Sequence, residues 1–290
     1  MHKIKKKLAL TLLFSVASMP FLLRSQSILY VDTALATFAP KVVFGEIDLV
    51  ECSDTVTGEH GGYFHAFDMA VRPDSSNFLY ATSNFFNNAN YLTELHTLSV
   101  GGGVIYPNLP VKDSLIQGLT CDENGYVYTA GMGIIKFELD YPGYFEYYLG
   151  DLPPSMKCQG DITYRNGKFY LVAVGNKLVE VDIKQPMDSK IVMDFPPGTL
   201  PIHGLTTVQL GCDSVATYAV GRATDHSEIY EVDFDNWTIS LVCDMPELAI
   251  TGAGSYTECA LPPCDIFVDM DHDNSSFGFW GNYCADTFCL

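Results

Sequence analysis

A tripeptide of the form Glu-apolar-Asp recurs along this 290-residue chain at an interval that few folds produce. Copies begin at Glu46, Glu138, Glu180 and Glu231, and a fifth, beginning at Glu94, differs only in having His at its last position. Successive copies begin 48, 44, 42 and 51 residues apart. Repeats of about 20–50 residues are typical of solenoids, propellers and arrays. The chain is therefore expected to be built from five similar units.

Two further segments recur between these tripeptides. One begins with a polar residue 19 to 23 positions after each copy, at His65, Gln117, Gln159, His203 and Thr251. The other is a short β-rich segment ending in tyrosine, at Tyr30, Tyr80, Tyr128, Tyr170 and Tyr218. Short alternating segments rich in Val, Ile, Tyr and Phe favour strands, and Asn-Gly in the turns between them suits two-residue hairpins.

Each repeat thus holds a first strand that usually contains Gly, a Tyr strand, the Glu-apolar-Asp strand and a final strand such as Thr238 to Cys243. Four antiparallel strands in about 45 residues form one propeller blade. The segment after residue 27 begins at a second strand, whereas Thr251 to Thr257 supplies an unaccompanied first strand. We therefore predict an all-β, five-bladed β-propeller in which residues 28–58 and 250–258 share the closing blade. A six-bladed propeller and a β-sandwich with accidental periodicity are the alternatives.

The two ends of the chain differ from the repeats. Four lysines among residues 3–7 precede an apolar run from Leu8 to Leu23, which predicts a secretory signal peptide over residues 1–27. A retained membrane anchor is the alternative. The propeller is assigned to residues 28–260, and residues 261–290 are interpreted as a linker and the truncated start of a further domain.

Charge and cysteine content limit the partners and the compartment. Loss of residues 1–27 removes five basic and no acidic residues and takes the formal charge from −19 to −24. Such a chain is expected to bind neither nucleic acid nor, once the signal is removed, membrane. The nine cysteines follow the signal and fit no zinc spacing, so disulfides are expected, with Cys52–Cys259 as the predicted staple of the closing blade.

Parts of the sequence resemble a known class of cell-surface protein. Segments such as GKFYLVAVGNKLVEVD and GYVYTAGMGIIKFELD resemble the propeller-type repeats of large secreted bacterial proteins. The tail CDIFVDMDHDNSSFGFWGNYCADTFC is similar to the Asp-rich, cysteine-flanked opening of a downstream domain in gliding-motility-associated surface proteins. The resemblance implies a secreted or surface-displayed module.

The tail also contains the sharpest candidate metal site. Asp269, Asp271, Asp273 and Ser275 would place hard oxygen atoms on one side of a tight loop, a spacing that suits Ca²⁺. The EF-hand pattern is not met, because Gly does not stand at its sixth position nor Glu at its twelfth. A solvated acidic linker is the alternative interpretation.

A second candidate site is the ring of polar residues that begins each first strand. In a propeller the innermost strands line the central channel, so His65, Gln117, Gln159, His203 and Thr251 would face one another and bind a small ligand or, through the two histidines, a metal. Hydrogen bonds between neighbouring blades are the plainer interpretation. The Glu-apolar-Asp carboxylates are interpreted as structural, because they recur in every blade and a catalytic pair is needed once.

No catalytic motif is recognised, and three functions remain open. A surface-displayed binding or adhesion module would take an extracellular protein or glycan, on which aromatic pairs such as Phe85-Phe86, Tyr144-Phe145 and Tyr147-Tyr148 would stack. A propeller enzyme, a hydrolase or lyase acting on polysaccharide or lactone at the channel mouth, is the alternative. A spacer without ligand is the third.

Overall fold

The architecture was analysed in a computed structural model of the full chain. The structure describes residues 27–34, 41–61, 66–71, 78–87, 90–99, 109–111, 116–140, 143–211 and 214–258. Within these ranges the chain is made of strands, turns and two short 3₁₀ turns, Pro154–Met156 and Pro186–Asp188, and none of its helices is long and apolar enough to cross a membrane. Residues 1–26 of the predicted signal peptide and all of the predicted further domain, residues 261–290, lie outside the described residues.

The described residues form twenty β-strands. In chain order they are β1 (Ser27–Ala34), β2 (Lys41–Asp48), β3 (Ser53–Gly61), β4 (Ala66–Val71), β5 (Phe78–Asn87), β6 (Asn90–Ser99), β7 (Leu109–Val111), β8 (Gly118–Cys121), β9 (Val127–Ala130), β10 (Gly133–Asp140), β11 (Gly143–Asp151), β12 (Cys158–Arg165), β13 (Lys168–Ala173), β14 (Lys177–Val181), β15 (Lys190–Asp194), β16 (Ile202–Gly211), β17 (Ser214–Arg222), β18 (His226–Asp233), β19 (Thr238–Pro246) and β20 (Ile250–Gly254).

These strands pair into four-stranded antiparallel sheets. Four sheets follow chain order, β4 to β7, β8 to β11, β12 to β15 and β16 to β19, and the remaining sheet has the order β20-β1-β2-β3. In that sheet the front of the described chain pairs with its last strand, so that Tyr30 lies opposite Ala253. The prediction that N- and C-terminal strands share one sheet is therefore confirmed.

The first strand of each sheet lies on the inside of the molecule. Strand β4 packs against β8, β8 against β12, β12 against β16, β16 against β20, and β20 against β4. The fold is therefore an all-β propeller of four-stranded blades. The strands that surround its axis are those that begin beside the predicted polar positions. Apolar residues fill the spaces between sheets, as where Tyr30 and Ile47 share a cluster with Tyr218 and Ile229.

The recurring tripeptide has a structural explanation. Asp48 and Asp233 end the third strands of their sheets, and Asp182 directly follows the third strand of another. Oδ1 of each accepts hydrogen bonds from the backbone N–H groups two and three residues later. The aspartate therefore fixes the turn into the fourth strand. Glu180 Oε2 accepts from Tyr170 Oη on the neighbouring strand, at 3.3 Å. Turn formation and cross-strand pairing account for the spacing.

The turn chemistry agrees with the sequence at one of the two Asn-Gly sites. Arg165 pairs with Lys168 across Asn166 and Gly167, whose φ angles are 49° and 78°, so this is the expected two-residue hairpin. The other, at 124–125, lies in a longer loop in which Asp122 Oδ1 accepts from the backbone N–H groups of Asn124 and Tyr126.

The predicted disulfide partner of Cys52 was wrong. Cys52, in the turn between β2 and β3, is bonded to Cys243 on β19, and not to Cys259. The bond joins two sheets side by side, where Cys243 lies in the same apolar cluster as Leu49. The prediction had considered only the two segments of the closing sheet. A disulfide of this kind is typical of proteins in oxidising compartments.

Candidate functional site

Three threonines stand at equivalent positions on neighbouring inner strands. Thr120, Thr163 and Thr206 pair across their sheets with Tyr128, Tyr170 and Tyr218, respectively. All three threonines are buried. At the same register the other two sheets carry Ala70 and Ala253. Three of the five inner strands therefore present a hydroxyl at one level of the axis.

The carboxyl group of Glu258 lies among these hydroxyls. Its Oε1 accepts hydrogen bonds from Thr120 Oγ1 at 2.8 Å and Thr163 Oγ1 at 2.7 Å, and its Oε2 accepts from Thr206 Oγ1 at 3.1 Å. Glu258 is buried, although it follows the last strand by four residues. One side chain thus joins three sheets on the axis of the propeller.

The turn that carries Glu258 is itself held in place. Thr257 Oγ1 accepts a hydrogen bond from the backbone N–H of Gln209 near the end of β16, at 2.9 Å, and the Thr257 backbone N–H donates to Ser255 Oγ. Residues 255–258 therefore cover the axis beside the later residues of the inner strands. We refer to this segment as the axial plug.

Two further carboxyl groups lie on the axis, two residues earlier along the inner strands than the level of the threonines. Asp68 on β4 and Asp161 on β12 each stand two residues before the residue that pairs with a tyrosine, as do Gly118 on β8 and Gly204 on β16. Asp68 Oδ2 accepts from the Leu119 backbone N–H at 2.6 Å, and Asp161 Oδ2 accepts from the Leu205 backbone N–H at 2.7 Å. Each aspartate therefore binds its own sheet to the next.

Gly118 allows β8 and β12 to lie close together at this level. A Cβ atom at Gly118 would come within 2.7 Å of the Ile162 backbone nitrogen and 2.9 Å of the Asp161 carbonyl carbon. The Asp68 and Asp161 carboxyl groups interact across β8. Both residues are completely buried. We call Asp68, Asp161 and Glu258 the axial acids.

Burial dominates the electrostatics of the axial acids. Desolvation, followed by the charge of Asp161, raises the pKa of Asp68 well above its ordinary value. Desolvation raises the pKa of Asp161 to about 7, against hydrogen bonds that favour its ionised form. Desolvation and the charge of Asp161 likewise raise the pKa of Glu258. The cluster therefore holds protons under conditions in which exposed carboxyl groups are ionised.

The predicted ring residues lie at or beside the beginnings of the inner strands, and two of them turn toward their own sheets. Gln159 is exposed, and its Oε1 accepts from the Gly175 backbone N–H in the same sheet. His203 is half-buried; desolvation and the charge of Arg222 on the adjacent strand lower its pKa. Gln117 is half-buried, Thr251 is buried, and His65 lies outside the described residues. A ligand-binding role for the five stays a prediction.

The metal prediction falls on residues that the structure does not describe. Asp269, Asp271, Asp273 and Ser275 lie beyond residue 258. In the described part of the chain, no three or more His, Cys, Asp or Glu side chains are grouped so that they could hold a metal ion.

The sequence reasoning missed the axial acids. Asp161 stands inside the recurring segment that begins at Gln159, and Asp68 stands three residues after His65. An unusual signal was present, because an acidic residue takes the place of an apolar or small residue in those two repeats. Asp161 and Asp68 thus lie two and three positions after the proposed Gln159 and His65, and Glu258 lies seven positions after Thr251.

The outer surface carries a pair of exposed aromatic side chains. Phe145 and Tyr147 lie two residues apart on β11, the outermost strand of its sheet, and are 59% and 45% exposed. Tyr147 Oη donates to Glu138 Oε2 on β10 at 3.5 Å. The 3₁₀ turn at Pro186–Asp188 of the next sheet packs against β11 and carries the exposed Met187. We call Phe145 and Tyr147 the β11 aromatic pair.

Comparison with known proteins gives similarity of fold without a family. No family model matches the chain, and no curated protein matches it. Among solved structures, the chain is similar to one in the nidogen/laminin complex, with 10% identity, a TM-score of 0.47 and coverage of 79% of this chain and 97% of that one. A protein of unknown function from Bacteroides caccae matches with 11% identity, a TM-score of 0.42 and coverage of 77% and 73%. A streptogramin B lyase matches with 18% identity, a TM-score of 0.40 and coverage of 76% and 69%. At these values no ligand or activity is transferred to this chain.

Proposed function

We propose that this chain is a five-bladed β-propeller that acts as a secreted or surface-displayed binding module. Five four-stranded sheets and the cyclic contacts of their first strands support the count of five blades. The disulfide between Cys52 and Cys243 is compatible with passage to an oxidising compartment, as the predicted signal peptide requires. The resemblance of the repeats and tail to gliding-motility-associated surface proteins supports display on a cell surface.

The observation that carries a binding function is the β11 aromatic pair. Residues two apart on a strand point to the same face, with about 7 Å between them. Two exposed rings at that spacing form a platform on which sugar rings or apolar side chains stack. Contiguous exposed apolar surface, as opposed to scattered single side chains, is typical of interaction sites.

We propose a neutral or cationic glycan as the ligand of this surface. Carboxylate oxygens accept hydrogen bonds from sugar hydroxyls, and Glu138 lies beside Tyr147 for that purpose. The formal charge of −19 disfavours anionic polysaccharides. The axial acids would not serve this ligand, because they are buried and already bonded within the ring.

The experiment is a glycan array followed by titration calorimetry with the glycan that binds best. The Phe145→Ser/Tyr147→Ser double variant is expected to weaken binding at least tenfold, with little change in melting temperature. Leu241→Ser is the matched control, because Leu241 is a 57% exposed apolar residue on β19, another outermost strand. Equal affinity of the double variant and the wild type would place the binding surface elsewhere.

The enzymatic alternative is tested by the same samples. His203 is half-buried at the beginning of an inner strand and its pKa is lowered, so it would be neutral and able to accept a proton. Turnover of a bound polysaccharide or lactone that is lost in His203→Ala would replace the binding module with a hydrolase or lyase.

Calcium binding by the tail is a separate proposal. The oxygen ligands offered by Asp269, Asp271, Asp273 and Ser275 support it from the sequence. Calorimetric titration of the full chain with Ca²⁺ should give a binding signal that Asp271→Asn removes. A signal that persists in this variant would assign the Ca²⁺ to other residues.

A further inference from the structure

The unusual feature of the propeller axis is an acceptor oxygen with no donor. Asp68 is completely buried, and its Oδ2 is satisfied by the Leu119 backbone N–H. Its Oδ1 has no hydrogen-bond donor among the described residues. The group that it meets is the Asp161 carboxyl, which already accepts from the backbone N–H groups of Ile162 and Leu205.

Two ionised carboxyl groups cannot satisfy one another. Each offers only acceptor oxygens, and like charges in a buried site repel strongly. A proton on one of them converts the pair into a donor and an acceptor and supplies the partner that Asp68 Oδ1 lacks. A cation between them would serve the same purpose, but in the described part of the chain no metal-holding group is formed.

Among the described residues, no positive side chain is one of the groups that shift the pKa of either aspartate. The groups that act on the pair are backbone N–H donors on β4, β8, β12 and β16. The titratable neighbours are Cys158 on β12 and Glu258 of the axial plug, which are both neutral or negative. Strands β8 and β16 carry Gly118 and Gly204 at this level.

We propose that Asp68 and Asp161 share one proton, and that this proton is a pH-sensitive lock between inner strands β4 and β12. These strands belong to sheets that are not neighbours, with β8 between them. The shared proton therefore connects β4 to β12 across the intervening β8. Its loss leaves two carboxylates that repel each other beside Glu258. The free energy of unfolding would be higher at acidic pH and would decrease as the pH rises and the shared proton is lost.

The test compares the pH dependence of unfolding in two variants. Glu258→Gln serves as the background, so that titration of Glu258 does not contribute. In this background the urea midpoint should fall between pH 5 and pH 9. Adding Asp68→Asn should reduce that fall, because the asparagine brings no titrating proton and its N–H₂ group donates to Asp161 and favours the ionised form, which leaves only the desolvation of Asp161 to raise its pKa. Asp188→Asn, at an exposed aspartate, is the control and should leave the fall unchanged.

A measurement on the unaltered protein keeps the proposal testable should the Asp68 variant not fold. Infrared spectra in D₂O should show a carboxylic-acid carbonyl band at neutral pH that survives in Glu258→Gln and disappears as the pH rises. A missing band, or an equal fall in urea midpoint with and without Asp68→Asn, would overturn the shared proton. Stabilisation by Ca²⁺ at pH 9 that Asp68→Asn abolishes would also overturn it, in favour of a bound cation.

Discussion

Glu258 accepts a hydrogen bond from Thr163 Oγ1 at 2.7 Å, although 95 residues separate the two in the sequence. Thr120 and Thr206 donate to the same carboxyl group from the strands on either side of β12. The axial plug, which follows the last strand in the sequence, therefore connects three inner strands.

Truncation of Glu258 should destabilise the propeller much more than replacement by its neutral isostere. Glu258→Ala removes the acceptor of the buried Thr120 and Thr206 hydroxyls and leaves Thr163 only Thr207 Oγ1 as an acceptor, and a buried unsatisfied polar group costs about 1–3 kcal/mol. We expect a loss of about 2–4 kcal/mol in the free energy of unfolding at pH 7. Glu258→Gln keeps the acceptor oxygen and should cost less than about 1 kcal/mol, because burial already favours the neutral acid. Urea denaturation measures both; equal losses would show that the hydroxyls do not depend on this acceptor.

The stability of the wild-type protein should decrease as the pH rises through neutrality. Asp161 and Glu258 have raised pKa values in the fold, to about 7 for Asp161, so the folded state binds protons that the unfolded state has released. Their contribution is complete below the ordinary carboxyl pKa of about 4 and is lost as the pH rises to the folded-state value. Each such proton contributes a slope of up to about 1.4 kcal/mol per pH unit. Melting curves from pH 4 to pH 9 test this; a stability that rises over that range would contradict it.

Gly118→Ala should disrupt the contact between β8 and β12. The added Cβ would lie 2.7 Å from the Ile162 backbone nitrogen, so the backbone of β8 or of β12 would have to move. Overpacking of this kind costs about 1–3 kcal/mol or more. Gly167→Ala is the control, because its Cβ would meet nothing within 4 Å and its cost of about 1 kcal/mol comes from its φ of +78° alone. A smaller loss at Gly118 than at Gly167 would mean that the inner strands are not packed this closely.

The sequence predicted the sheets because each strand of a repeat carries its own local signal. Turn-forming aspartates such as Asp182 mark the third strand, and tyrosines such as Tyr170 mark the second, so the strand order follows from spacing alone. The axis could not be predicted in the same way. Register shifts between Ala66 and Asp68, and between Cys158 and Ile162, change which residues face the axis, and no spacing rule includes these bulges.

Contacts between different sheets could not be predicted from the sequence either. The pairing of Cys52 with Cys243 depends on two sheets lying side by side, whereas the sequence argument considered only strands of one sheet. Glu258 contributes to the axis from a turn that follows β20, whereas the sequence argument extended that strand from Thr251 to Thr257. Local patterns therefore predicted the blades, and long-range packing decided the site.

Removal of the Cys52–Cys243 disulfide should lower the stability substantially without changing the fold. The bond closes a loop of 191 residues between two sheets, and loss of a disulfide from a small domain typically costs about 2–5 kcal/mol. The Cys52→Ser/Cys243→Ser variant should lose that amount in urea denaturation and keep its β-sheet circular dichroism spectrum. Cys158→Ala is the comparison, because Cys158 is a free, buried thiol whose pKa is raised by burial. Peptide mapping of the unreduced protein should recover Cys52 joined to Cys243; a peptide joining Cys52 to Cys259 would show that the two sheets are not stapled together.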